Sequence, residues 1–159
     1  MTIFSNKVLF FFLLVTTLQW FDTFATPKWV SLEIVNKEGV IVIFETEIAD
    51  TEKSRILGLS PREGLGENEG LLLDFGRDLI PRMWMKNTRF SLDMLFIDSF
   101  GKIRSIYSKA VPLSLRIISP NVEVRYVLEI SGGQTDRLGI QVGDEVRMLP
   151  FYRSTVGLD

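Results

Sequence analysis

The sequence has neither cysteine nor histidine among its 159 residues. The first absence excludes a disulfide framework, a thiolate nucleophile and cysteine-held zinc or iron–sulfur centres. The second excludes Ser-His-Asp triads and imidazole metal sites. An excess of charge of either sign is also missing: 18 Lys and Arg against 20 Asp and Glu leave a formal charge of -2, which gives no electrostatic footprint for nucleic acid. Internal repeats, low-complexity runs, linkers and Asn-x-Ser/Thr sequons are absent as well. What is present, 46% apolar and 24% charged residues, suits a single globular domain.

The long hydrophobic run is confined to the N-terminus. Lys7 supplies a positive n-region, Val8 to Leu18 is apolar, and Thr23-Phe24-Ala25 offers small residues where a signal peptidase reads. Residues 1–25 are therefore expected to be a cleaved export signal, with residues 26–159 as the mature domain. The alternative is an uncleaved N-terminal anchor, but Gln19 and Asp22 interrupt the run. Either way the domain is expected to be exported, periplasmic or secreted in a bacterium, and to meet a membrane only through that segment.

The mature segment reads mostly as strand. Val30 to Val35 and Val40 to Ile48 are rich in β-branched residues and flank Asn36-Lys37-Glu38-Gly39, a hairpin loop with Asn and Gly for positive φ. Asp50 or Thr51 can cap a short helix through Leu59, with Ile56 and Leu59 on one face and Pro61 as the stop. Further strands are predicted at Leu71 to Phe75, Arg82 to Met85, Leu92 to Asp98, Lys102 to Ser108, Val122 to Ile130 and Glu145 to Leu149. A helical turn is predicted near Gln134 to Leu138. There is no βαβ rhythm, and the sum favours an antiparallel two-layer sandwich or small barrel with one or two short helices.

The densest segment is Arg82-Met83-Trp84-Met85-Lys86-Asn87-Thr88. If extended, it sets Arg82, Trp84 and Lys86 on one face and Met83 and Met85 on the other. The first face offers an aromatic plate between cations for a sugar or planar acid, or simply a structural cation–π contact. The second offers two thioethers, which without histidine or cysteine read as core filler ahead of Cu(I) ligands. Charge is also uneven along the chain, with nine basic and four acidic residues from Arg77 to Arg125 against four basic and ten acidic from Glu33 to Asp74. That asymmetry reads either as attraction between two halves or as a cationic rim for an anionic ligand.

Asp93 and Glu129 each interrupt an apolar strand and must point to solvent or find donors. Two carboxylates on neighbouring strands can also work as acid and base, which makes a hydrolase the third functional reading. Asp74-Phe75-Gly76 spells a kinase triplet with no glycine-rich loop or catalytic loop beside it, and is read as coincidence.

The run Trp84-Met85-Lys86-Asn87-Thr88, then Ser91-Leu92-Asp93-Met94-Leu95-Phe96-Ile97-Asp98, then Gly101-Lys102-Ile103 resembles the signature of the bacterial domain-of-unknown-function family 192. Arg55-Ile56-Leu57-Gly58-Leu59, Gly70-Leu71-Leu72-Leu73-Asp74-Phe75, Val127-Leu128-Glu129-Ile130 with Gly132-Gly133, Gly139-Ile140 and Gly143-Asp144 continue it in order. The resemblance implies a small β-sandwich of jelly-roll type, commonly exported or anchored, and implies no established activity. The chain departs from the family where Ser60 and Leu71 stand in place of methionine, which removes sulfur from two positions.

Resemblance and local physics converge on Arg55, Trp84, Lys86, Asn87, Thr88, Asp93 and Glu129 as ligand-binding candidates. The expected role is a binding module for a small anionic or sugar-like ligand, or for an envelope protein partner. The alternative is a structural or interaction domain in which Lys86 or Arg55 pairs with Asp93, while Asn87 and Thr88 shape a turn and Glu129 receives backbone donors near Gly132. No cofactor, metal or nucleic-acid partner is expected, and catalysis is not favoured.

Overall fold

The computed structural model describes residues 28–39 and 41–149, so the expected export signal over residues 1–25 lies outside the described residues. Seven strands and two short helices follow in chain order: β1 (Lys28–Val35), β2 (Ile41–Ala49), α1 (Glu52–Leu57), β3 (Glu69–Leu79), β4 (Leu92–Ile97), β5 (Ile103–Ala110), β6 (Val124–Ser131), α2 (Gln134–Leu138) and β7 (Glu145–Leu149). They form one sheet in the order β5-β4-β6-β3-β2-β1-β7. The mainly β class with two short helices agrees with the sequence reading.

Local chemistry explains the hairpins. Asn36 Oδ1 accepts from the Glu38 amide at 2.9 Å, and Gly39 takes φ 82° to close the β1–β2 loop. At the β4–β5 turn, Asp98 Oδ1 accepts from the amides of Phe100 and Lys102. Thr51 is the N-cap of α1, in a capping box with Ser54.

Three expectations are corrected. The sheet is mixed, because β2 and β3 pair in parallel while every other pair is antiparallel. The connection through residues 50–68 is a βαβ crossover, and its helix is too short to have left a rhythm in the sequence. Arg82 to Met85 is not a ladder strand; it makes an isolated bridge from Met83 to Ile118. No residue of α1 is buried, and only Leu59, beyond the helix, reaches the core.

The sheet curls until its edge strands meet. Lys102 bridges Glu145 at the start of β7, and the Val146 amide donates to the Gly101 carbonyl at 2.7 Å. Gly101 has φ 82°, and a Cβ there would lie 2.5 Å from the Val146 carbonyl oxygen, so the closure needs glycine twice over. Inside the curl lies a first core with Leu32, Phe44, Leu72, Leu95, Ile97, Leu128 and Ile130.

The outer face of β3, β4 and β6 carries a second core with Leu71, Leu73, Met85, Met94, Phe96 and Val127, to which Leu59 and Ile118 from the loops contribute. The central strands are thus buried on both faces. This is why β4 is buried at all six positions.

Candidate functional site

A cavity of about 380 Å³ opens beside the second core, between α1, the β3 bend and the segment Arg82–Thr88. Its walls include Ile56, Leu57, Leu59, Leu73, Phe75, Met83 and Trp84, and its charged lining is Glu52, Arg55, Arg82, Lys86 and Glu129. That is within the size range of small-molecule sites, and the composition is mostly apolar with a few polar groups. The exposure of Ile56 and Leu57 on α1 follows from this placement, since both face the open cavity rather than the core.

Glu129 is the cavity's buried ionisable group, only 5% exposed. Its cross-strand neighbours are Leu71 on β3 and Met94 on β4, so the strand pairing sets the carboxyl among apolar side chains. Burial alone raises its pKa from 4.5 to about 7, and among the described residues no group donates a hydrogen bond to it. Among the described residues no fully buried side-chain oxygen or nitrogen lacks a partner, so this carboxyl reaches the cavity.

The cations of the cavity are differently engaged. Arg55 Nη1 donates to the carbonyls of Asp50 at 2.8 Å and Asp74 at 2.7 Å, and its guanidinium lies 5.3 Å from the Phe75 ring centroid. Arg55 is therefore a wall that ties α1 to β3. Lys86 Nζ stands 5.6 Å from the centre of the Trp84 ring, and Trp84 is 49% exposed. Although no ladder forms there, the expected alternation holds: Arg82, Trp84 and Lys86 are exposed while Met85 is fully buried. Met83 and Met85 both pack in the second core.

Asn87 and Thr88 serve the turn. The Thr88 amide donates to the Met85 carbonyl at 3.0 Å, and Asn87 takes φ 65°, which asparagine tolerates at the third position of such a turn. Thr88 is buried and also lines the cavity, whereas Asn87 does not.

Asp93 stands apart from the others. It is fully buried, and it accepts from the amides of Lys109 (2.7 Å), Gly133 (2.9 Å) and Thr135 (2.8 Å) and from the Thr135 hydroxyl (2.7 Å). Neither Lys86 nor Arg55 is among these partners. The carboxylate instead ties β5 to the turn into α2, where Gly133 supplies φ 90°. Asp93 pairs with Ile130 and Met94 with Glu129, so the two carboxylates project from opposite faces of the sheet. They cannot flank one scissile bond, and the hydrolase reading falls with that geometry.

Of the seven sequence candidates, the structure gathers Arg55, Trp84, Lys86, Thr88 and Glu129 on one cavity and sets Asn87 and Asp93 outside it. Sequence reasoning missed Glu52 and Phe75 as lining residues, while Arg82, set by alternation on the face of Trp84 and Lys86 but not counted among the seven, lines the cavity too. Phe75 sat in a triplet read as coincidence, and nothing in the sequence linked Glu52 to the distant segment around Trp84. The sequence profile of DUF192, described as "Uncharacterized ACR, COG1430", matches residues 33–148, which include every residue of the cavity. The chain belongs to the DUF192 family.

Two solved structures share the fold. The chain is similar to a candidate transcription regulator from Sinorhizobium meliloti 1021, at 37% identity and a TM-score of 0.76, over 77% of this chain and 95% of that one. It is similar also to a protein of unknown function from Novosphingobium aromaticivorans DSM 12444, at 30% identity and a TM-score of 0.74, over 79% of this chain and 89% of that one. No match was found among curated proteins. The two departures from the DUF192 pattern have plain uses: Ser60 Oγ donates to the Leu57 carbonyl at 2.6 Å and closes the turn after α1, and Leu71 is buried in the second core.

Proposed function

We propose that this DUF192 protein is a binding module for a small molecule with an anionic group on an apolar or ring-shaped body. The observation that carries the reading is the cavity itself: the carboxyl of the largely buried Glu129 opens onto it under apolar walls with no hydrogen-bond donor among the described residues, and Arg82 and Lys86 stand with the exposed Trp84 ring. Trp84 offers a stacking face, and Lys86 and Arg82 offer charge to the anionic group. Glu129 in its neutral form can donate a hydrogen bond to a ligand oxygen. A carboxylic acid satisfies all three at once, while a neutral sugar satisfies only the ring and the hydrogen bond.

The reading extends to location. The N-terminal pattern around Lys7, Val8 to Leu18 and Ala25 supports export, which would set the cavity to work outside the cytoplasm. The regulator description of the Sinorhizobium neighbour gains little support from this chain, whose two described helices have six and five residues and whose formal charge is -2.

The test is a thermal-shift panel of benzoate, phenylacetate, gluconate, glucose and phosphate against wild type and Trp84→Ala. A ligand at about 100 times its dissociation constant should add about 2.7 kcal/mol of stability. The expected result is a shift with the ring-bearing acids that Trp84→Ala abolishes. A flat panel, or an equal shift in the variant, would remove the proposal.

A further inference from the structure

The loop layer over the second core has a surface feature outside the cavity. The segments around 83–88 and 111–118 run antiparallel, joined by Met83 and Ile118 in both directions, by the Met85 amide to the Ser114 carbonyl, and by the Leu113 amide to the Thr88 carbonyl. With the backbones paired in this way, side chains go either down into the core or out. Met85, Thr88 and Ile118 go down and are buried. Val111, Leu113 and Leu115 go out at 64%, 59% and 67% exposure, followed by Ile117, next to the exposed Trp84.

Single exposed apolar residues are ordinary, but four at alternate positions of one strip are a patch. Leu113 also holds φ 61° in the turn from Val111 to Ser114, after Pro112, where glycine or asparagine is usual. A leucine kept there at a backbone cost, with its side chain in solvent, points to use of that side chain.

The charges on and beside the strip are mainly basic, with Asp136 at its end and Glu52 in the neighbouring cavity as acidic groups. Arg82, Lys86, Arg89 and Arg116 form no ion pair among the described residues, while Lys109 at the strip's end is held by Asp136 at 2.8 Å. A second copy of this chain would set those four cations against themselves.

We propose that this layer docks on an anionic lipid surface. The side chains of Val111, Leu113, Leu115 and Ile117 enter the headgroup boundary, Trp84 sits at the interface, and the four cations meet lipid phosphates. The surface shares Arg82, Trp84 and Lys86 with the cavity, whereas Val111, Leu113, Leu115, Ile117, Arg89 and Arg116 lie outside its lining.

The test is co-sedimentation of the full chain with vesicles of phosphatidylglycerol and phosphatidylcholine, against vesicles of phosphatidylcholine alone. Two variants outside the cavity lining are compared with wild type, Leu113→Ser with Leu115→Ser, and Arg89→Ala with Arg116→Ala. Wild type should sediment with the anionic vesicles and be released by salt, and each double variant should bind on the order of tenfold more weakly. Retained binding in both variants would assign the interaction to another part of the chain, including residues 1–25, and would overturn the proposal. Equal binding to both vesicle types, or none by wild type, would overturn it too and return the strip to a protein partner. If the leucine variant melts early, the arginine variant, which removes only exposed charges, decides.

Discussion

Asp93 and Glu129 lie one register step apart on the paired strands β4 and β6, yet one faces the inner core and the other the outer cavity. Two buried carboxyls so close in the ladder carry opposite electrostatic duties. Asp93 is met by four donors, whereas Glu129 is met by none among the described residues. The difference sets separate predictions for the two.

Asp93→Asn should destabilise the fold by about 2–3 kcal/mol, because an amide N–H₂ then faces either the Lys109 and Gly133 amides or the Thr135 amide and hydroxyl in place of a carboxylate oxygen. Urea unfolding measures the loss. Ligand affinity of the folded fraction should be unchanged, since Asp93 does not line the cavity.

Glu129→Gln should remove a pH dependence. In the folded protein the carboxyl keeps its proton up to about pH 7, against 4.5 for the free group. Between those values the folded state binds the extra proton, so stability falls as pH rises from about 4.5 to 7 and levels off above. The loss amounts to roughly 3 kcal/mol at most. Unfolding free energies at a series of pH values should fall across this window in wild type relative to Glu129→Gln. Parallel curves would show the carboxyl to be compensated by Arg55, Arg82 or Lys86, the cations that share its cavity with Glu52.

Gly101→Ala should lower stability by about 1–3 kcal/mol, from the positive φ and the contact with the Val146 carbonyl together. Thermal unfolding checks the value. The site of damage can be read by amide exchange, which should speed up at Val146 and Ile103, where the sheet edges meet.

Much of this was legible in the chain because periodicity and turn chemistry are local. The β1–β2 loop, the β4–β5 turn, the helical turn at Gln134–Leu138 and the alternation from Arg82 to Lys86 all follow from neighbours in sequence. The parallel β2–β3 pair was not legible, since a six-residue helix leaves too little pattern to announce a crossover. Nor were the partners of Asp93: three of the four donor groups come from Gly133 and Thr135, some 40 residues along the chain. Which face a buried carboxyl takes depends on strand register, and register is a property of the pair. Arg55 and Trp84 meet on one cavity because α1 and the loop layer flank the same three strands, which no local pattern encodes.

Export makes its own prediction. Edman or mass-spectrometric reading of the N-terminus of protein secreted by a bacterial host should begin at Thr26. An intact Met1 in a membrane fraction would instead identify an anchor.

The role proposed for the cavity around Glu129 and Trp84 is to take a small organic acid. Calorimetric titration of benzoate and phenylacetate into wild type, Trp84→Ala and Glu129→Gln, at pH values below and above 7, tests it most directly. Wild type should bind at the lower pH, where Glu129 is protonated and donates, and weaken by up to about tenfold per pH unit above its pKa of about 7. Glu129→Gln should lose the pH dependence and Trp84→Ala the binding. Absence of heat with either acid, or binding that both variants retain at every pH, would contradict the claim.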